Sequence, residues 1–124
     1  MRTKLLLVED DAEQAVLFTN VLRAAGYEVV ATATAEEAQE RLTAEPFPLL
    51  LADWDLGGGM NGDALICWAK ARDPQLKTIL FSNHFEVAAV AGACGADASF
   101  RKVEGIAPLR RLVARLAPLE GDHA

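Results

Sequence analysis

Pro48-Leu49-Leu50-Leu51-Ala52-Asp53-Trp54-Asp55-Leu56-Gly57-Gly58-Gly59 sets an aspartate at the end of an apolar run and just ahead of a glycine-rich loop. A short continuous apolar run bounded by turn residues reads as a strand covered on both faces, the pattern of a parallel sheet. Open α/β sheets bind ligands in the crevice outside the carboxyl ends of their strands. Asp53 is therefore a candidate reactive group. The same pattern recurs near the N-terminus, where Leu5-Leu6-Leu7-Val8 runs into Glu9-Asp10-Asp11. Two strands that deliver acids to one edge predict a divalent-cation site with a nucleophile in it.

Working outward, the chain alternates strand and helix patterns. Asp10 or Asp11 caps a helix with Glu13 in its first turn and Ala15, Phe18, Leu22 and Ala25 on one face, and Gly26 stops it. Residues 27–32 read as a second strand. Thr34 with Glu36 and Glu37 opens another helix, which Pro46 and Pro48 end ahead of the third strand, Leu49 to Ala52. Residues 57–62 form a loop, and 63–72 a helix broken by Asp73-Pro74. Residues 78–81 form a fourth strand, 85–94 a weaker helix ended by Gly95, and 98–100 a fifth strand. Pro108 opens a last helix to about Leu116, with a frayed tail from Pro118. Five strands alternating with helices predict a (βα)5 flavodoxin-like, doubly wound fold: a five-stranded parallel sheet between two helical layers.

Composition narrows the function. One domain of 124 residues, 1–124, accommodates a real core at about 4–117 and leaves no room for a second domain. A net charge of −6 opposes nucleic-acid binding, and the local cluster Arg110, Arg111, Arg115 reads as a solvated helix face. No apolar segment approaches the roughly 18 residues of a membrane span, and no signal peptide is evident. Cys67 and Cys94, far apart and without CxxC spacing, read as buried reduced thiols of a cytoplasmic protein.

In a parallel sheet all strand C-termini share one edge. That edge collects Glu9 and Asp10, Asp53, Ser82 and, just past the fifth strand, Lys102. Like charges at about 4 Å in an effective dielectric near 20 repel by about 4 kcal/mol per pair, so a cation must offset them. Lys102 supplies one positive charge, and an all-oxygen site suits Mg²⁺.

These residues carry a resemblance. The segments Lys4-Leu5-Leu6-Leu7-Val8-Glu9-Asp10-Asp11, Leu50-Leu51-Ala52-Asp53 with Gly62, Thr78-Ile79-Leu80-Phe81-Ser82 and Gly95-Ala96-Asp97-Ala98-Ser99-Phe100-Arg101-Lys102 resemble, in order and spacing, the receiver domain of two-component response regulators, in stand-alone form. The resemblance implies that Asp53 accepts a phosphoryl group from a phosphohistidine on a sensor histidine kinase or histidine phosphotransferase. It implies Mg²⁺, with Mn²⁺ able to substitute, held by Asp10, by Glu9 mostly through a bound water, by Asp53 and by the Asp55 backbone carbonyl. Lys102 and Ser82 would contact the phosphoryl oxygens, while Asp55 and His84 would tune its lifetime. The implied output is altered binding of an unknown downstream protein, as a monomer or a phosphorylation-dependent dimer, without catalysis beyond self-phosphorylation and autodephosphorylation.

Four positions depart from that family. Gly57 stands where proline is common, which predicts a looser loop. Asn83 follows Ser82 in place of a small residue and offers an extra contact near the phosphoryl group. Val103 follows Lys102 in place of proline, and a cis bond there would cost about 2.5–4 kcal/mol. Ser99 occupies the position of an aromatic switch, and strand alternation points the neighbouring Phe100 to the other face. Output is therefore expected through the segment after the fourth strand. Trp54, beside Asp53, is a candidate fluorescence reporter, and Cys67 and Trp68 are expected to pack within their helix.

Two other functions compete. Asp53-Trp54-Asp55 resembles the DxD nucleophile of haloacid dehalogenase phosphatases, but that motif belongs on the first strand, with a later acidic pair. A receiver-like binding module acting without phosphorylation fits Gly57, Ser99 and Val103. It gives no reason to keep mutually repelling acids. A flavodoxin-like cofactor binder lacks a phosphate-cradling loop after the first strand.

Overall fold

The computed structural model describes residues 2–119. Five strands, β1 (Lys4–Val8), β2 (Glu28–Thr32), β3 (Leu49–Asp53), β4 (Lys77–Ser82) and β5 (Ala98–Arg101), form one parallel sheet in the order β2-β1-β3-β4-β5. The α-helices are α1 (Ala12–Ala24), α2 (Ala35–Ala44), α3 (Gly62–Arg72), α4 (Val87–Cys94) and α5 (Ile106–Leu116), with a 3₁₀ turn at Lys102–Glu104. This is the predicted doubly wound architecture.

Strand alternation builds two cores. Leu6, Val8, Leu50, Ala52 and Leu80 face Ala35, Ala38, Leu65, Ile66, Ala69, Val87 and Ala91 of α2, α3 and α4. Leu5, Leu7, Leu49, Leu51, Ile79, Phe81 and Phe100 face Phe18, Leu22, Leu109 and Val113 of α1 and α5. Each fully buried leucine contributes roughly 1.5–3 kcal/mol of transfer free energy, so three leucines in β1 and three in β3 suffice to place both strands centrally.

The caps follow local chemistry. Asp11 caps α1, its carboxylate accepting the Gln14 N–H, and Thr34 caps α2 by accepting the Glu37 N–H. Gly95 ends α4 in the left-handed conformation that lacks a Cβ penalty only for glycine. Asp97 accepts the Thr78 N–H at 2.8 Å and pairs with Lys70 at 3.1 Å, tying β4 and its neighbouring loop to α3.

Several expectations need correction. Helix α5 begins at Ile106, two residues before Pro108, because Gly105 turns the chain with φ of +96°. Helix α4 begins after Phe85, which is 78% exposed. Cys67 is exposed instead of buried, so it does not pack within α3; Cys94 is half-buried, and both thiols are free. Trp68 does pack against the α2–α4 core and carries the Arg72 guanidinium 5.0 Å from its ring centre. Pro118 and Leu119 are not frayed: the Pro118 carbonyl accepts from Thr3, and Leu119 packs against the α1–α5 core. The rest of the expected tail lies outside the described residues. No helix among the described residues is long and apolar enough to cross a membrane.

Candidate functional site

Asp53 and Ser82 are the last residues of β3 and β4, and both are still in the strands. Asp53 pairs in register with Phe81, so its backbone is held by the sheet while its side chain leaves the edge. Glu9 follows β1 and is anchored by its N–H to the Thr32 carbonyl. Lys102 opens the turn after β5. Together with Asp10, Asp11, Gln14, Asp55, Asn83 and His84 they line a cleft of about 430 Å³ at the C-terminal edge. A second cleft, of about 320 Å³, lies between the ends of α2 and α3 and holds no carboxylate cluster among the described residues.

The electrostatics centre on Lys102. Its ammonium donates to Asp53 Oδ2 and Glu9 Oε1, each at 2.8 Å, and also to Gln14 Oε1. Carboxylate oxygens of Glu9, Asp10 and Asp53 all lie within 4.8 Å of one another, with Glu9 and Asp53 buried and Asp10 exposed. Burial, and then the hydrogen bond and charge of Asp53, push the Glu9 carboxyl up to about 7, against the lowering influence of Lys102. Burial alone would lower Lys102, but its bonds to Asp53 and Glu9 outweigh this and hold it above the ordinary lysine value. A compact all-oxygen set of this kind fits a hard cation such as Mg²⁺.

The remaining polar groups are oriented by backbone. Asp53 Oδ1 accepts the Asp55 N–H at 3.0 Å. Ser82 Oγ accepts the His84 N–H at 3.1 Å, which leaves its own proton available as a donor. His84 Nε2 and Asp55 Oδ2 lie 2.9 Å apart, and the imidazole meets the Trp54 ring edge-on with centres 5.2 Å apart. Asn83 lines the cleft mouth, and its carbonyl accepts from Arg101.

The loop after β3 is tied at three backbone amides. Gly57 N–H donates to Asp10 Oδ2 at 3.1 Å, Leu56 N–H to Asn61 Oδ1 at 3.1 Å and Met60 N–H to Glu36 Oε2 at 3.2 Å. Side-chain acceptors thus replace the stiffening that a proline would supply. Behind the loop, Gly62 packs directly on the Asp53 backbone.

A family model described as the response regulator receiver domain matches residues 5–114. The chain belongs to the response regulator receiver domain family. It is similar to the response regulator receiver protein CpdR of Brucella abortus, 38% identical over 85 residues, which are 68% of this chain and 70% of that one. It is also similar to the response regulator protein FleR of Pseudomonas aeruginosa, 34% identical over 84 residues; that match covers 68% of this chain and only 18% of FleR. Among solved structures, a CheY-like response regulator receiver domain protein from Methanospirillum hungatei aligns with a TM-score of 0.82 at 29% identity, covering 92% of this chain and 93% of that one. The receiver domain of a signal transduction histidine kinase from Syntrophus aciditrophicus aligns with a TM-score of 0.83 at 26% identity, covering 92% and 89%.

The receiver fold brings together every site residue expected from sequence, and it adds Gln14. The missed signal was positional: Gln14 is the third residue of a helix capped by Asp11, so its side chain rises from the same edge as Glu9. Phe100 is buried among Phe81 and Leu109 on the α5 side, opposite in face to Ser99, as strand alternation requires. The described residues contain no cis peptide bond.

Proposed function

We propose that this receiver accepts a phosphoryl group on Asp53 from a phosphohistidine of a sensor kinase or phosphotransferase, in the cytoplasm. The observation that supports the reading is the convergence of three carboxylates within 4.8 Å on a lysine bonded to two of them. In the transfer, an Asp53 carboxylate oxygen forms a bond to phosphorus as the phosphorus–nitrogen bond to the donor imidazole breaks. Asp10, Asp53 and the Asp55 carbonyl would hold Mg²⁺, with Glu9 contributing mostly through water. The ion would supply charge neutralisation for the phosphoryl oxygens. Lys102 follows those oxygens from its place on Asp53, and Ser82 turns its free proton toward them. Asn83 offers a further contact. The added charge and acceptor oxygens then draw Ser82 and shift the segment 83–86, which carries exposed Phe85 and would present a changed surface to a downstream protein.

Acetyl phosphate with Mg²⁺ is expected to label the wild type, to leave Asp53→Asn unlabelled, and to change hydrogen exchange in 83–90 of the labelled protein. Labelling that survives in Asp53→Asn would remove the assignment. His84 and Asp55 line the cleft that holds Asp53 and meet at 2.9 Å, so together they would limit the approach of water to its side chain. Replacing both with alanine is expected to change the dephosphorylation half-life by several-fold, in the direction of faster loss. An unchanged half-life would leave them as solvated loop residues.

A further inference from the structure

We infer that the backbone N–H of Gly57 is a positioning group for the metal site, a role open to it only because residue 57 is not proline. The inference rests on reading Glu9, Asp10 and Asp53 as the Mg²⁺ site. Asp10 is the exposed member of the three, and the 3.1 Å bond from Gly57 is the only hydrogen bond to its side chain among the described residues. An exposed aspartate otherwise samples several rotamers, and binding an ion must then fix one of them. Here Oδ2 is already held by the amide while the carboxylate keeps an oxygen within 4.8 Å of those of Glu9 and Asp53. Carboxylates that bind metals are generally oriented by such outer hydrogen bonds.

The rest of the loop has the form this role needs. The amide can orient Asp10 only if it is itself fixed. Leu56 is buried and its N–H is bonded to Asn61, while Met60 N–H is bonded to Glu36 on the first turn of α2. Gly58, with φ of +80°, turns the chain between these two anchors. Gly59 leaves room for Glu36: a Cβ there would come within 3.1 Å of both Glu36 carboxylate oxygens. The loop therefore spans two carboxylates, one on each side, and presents one amide to each. A proline at 57 would have no N–H to give.

The two roles of the residue can be separated by experiment. Mg²⁺ alone is titrated calorimetrically into wild type, Gly57→Pro and Gly57→Ala. Proline is expected to raise the Mg²⁺ dissociation constant about tenfold. Its melting temperature should shift by only a few degrees, because loss of one exposed hydrogen bond is set against proline's restriction of the unfolded chain. A merely structural role would move affinity and stability together. Alanine keeps the amide, and its Cβ would sit 3.3 Å from Oδ2 of an exposed carboxylate that can give slightly, so its affinity should stay near wild type.

A proline variant that binds Mg²⁺ as wild type does would overturn the inference. Tighter binding would also overturn it, by making the amide a competitor of the ion. If the proline variant does not fold, amide exchange in the metal-free wild type decides: Gly57 should be protected, and Asp10→Ala should abolish that protection. Equal exchange in the two proteins removes the positioning role. Wild type that binds no Mg²⁺ would defeat the metal-site reading itself, whereas normal wild-type binding with an indifferent proline variant defeats only the role of Gly57.

Discussion

Gly62→Ala is expected to destabilise the receiver by about 3 kcal/mol or more, and to weaken Mg²⁺ binding in whatever protein still folds. The reason is space, since Gly62 does not have a positive φ. A Cβ at 62 would lie 2.0 Å from the Asp53 carbonyl oxygen, 2.8 Å from its carbon and 3.2 Å from Trp54 Cα. All three are backbone atoms at the end of a central strand, and none can rotate away. The start of α3 must retreat, which stretches the 3.0 Å bond from Gly62 N–H to the Trp54 carbonyl. Retreat also drags the loop that carries Asp55 and Gly57. Gly92→Ala is the matched control: nothing lies within 4 Å of its Cβ, and on the exposed face of α4 the change should stabilise by up to about 1 kcal/mol. Urea unfolding of both variants checks the contrast. A loss below about 1 kcal/mol for Gly62→Ala would mean that α3 shifts freely.

Lys102→Met is expected to cost about 3–5 kcal/mol at pH 8 without metal, the range for removing one partner of a buried ion pair. It leaves Glu9 and Asp53, 2% and 5% exposed, without their shared cation. The loss should shrink in acid, and the sign follows from Glu9. Its carboxyl titrates near 4.5 when unfolded and is pushed up to about 7 in the fold, first by burial and then by Asp53. Between those values the native state binds more protons than the unfolded state, so stability falls as pH rises. Its contribution is fully present below pH 4.5 and is lost through about pH 7. Without Lys102, which lowers the Glu9 value, the slope steepens and extends to higher pH. Millimolar Mg²⁺ should restore much of the stability by taking the place of the ammonium charge. Unfolding in urea at pH 5, 7 and 8, with a chelator and then with Mg²⁺, tests all three parts. An equal loss at pH 5 and pH 8 would show that Lys102 contributes by packing alone.

Most of the site was legible because it depends on strand ends. Asp53, Ser82 and Lys102 lie at or just beyond strands whose apolar runs are unambiguous, and parallel pairing carries their ends to one edge. The element boundaries that moved did so where local signals conflicted. Pro108 suits a helix start, but Gly105 supplied the turn earlier. The exposed Cys67 shows the weakness of reading burial from residue type, because α3 buries Leu65, Ile66 and Ala69 and turns Cys67 outward.

By itself the sequence determined the strand and helix alternation, the cap at Thr34, the choice of Asp10 or Asp11 as the first cap, and the collection of acids, hydroxyl and lysine on one edge. Each depends on periodicity, on a residue's own backbone preference, or on the common direction of parallel strands. Only the tertiary structure decided that Gln14 shares the Lys102 ammonium, that His84 meets Asp55 and Trp54, and that Gly57 reaches across to Asp10. Those contacts join groups up to 88 residues apart. They depend on the paths of loops and on side-chain rotamers, which no local pattern encodes and which packing selects only once the sheet has brought the strand ends together.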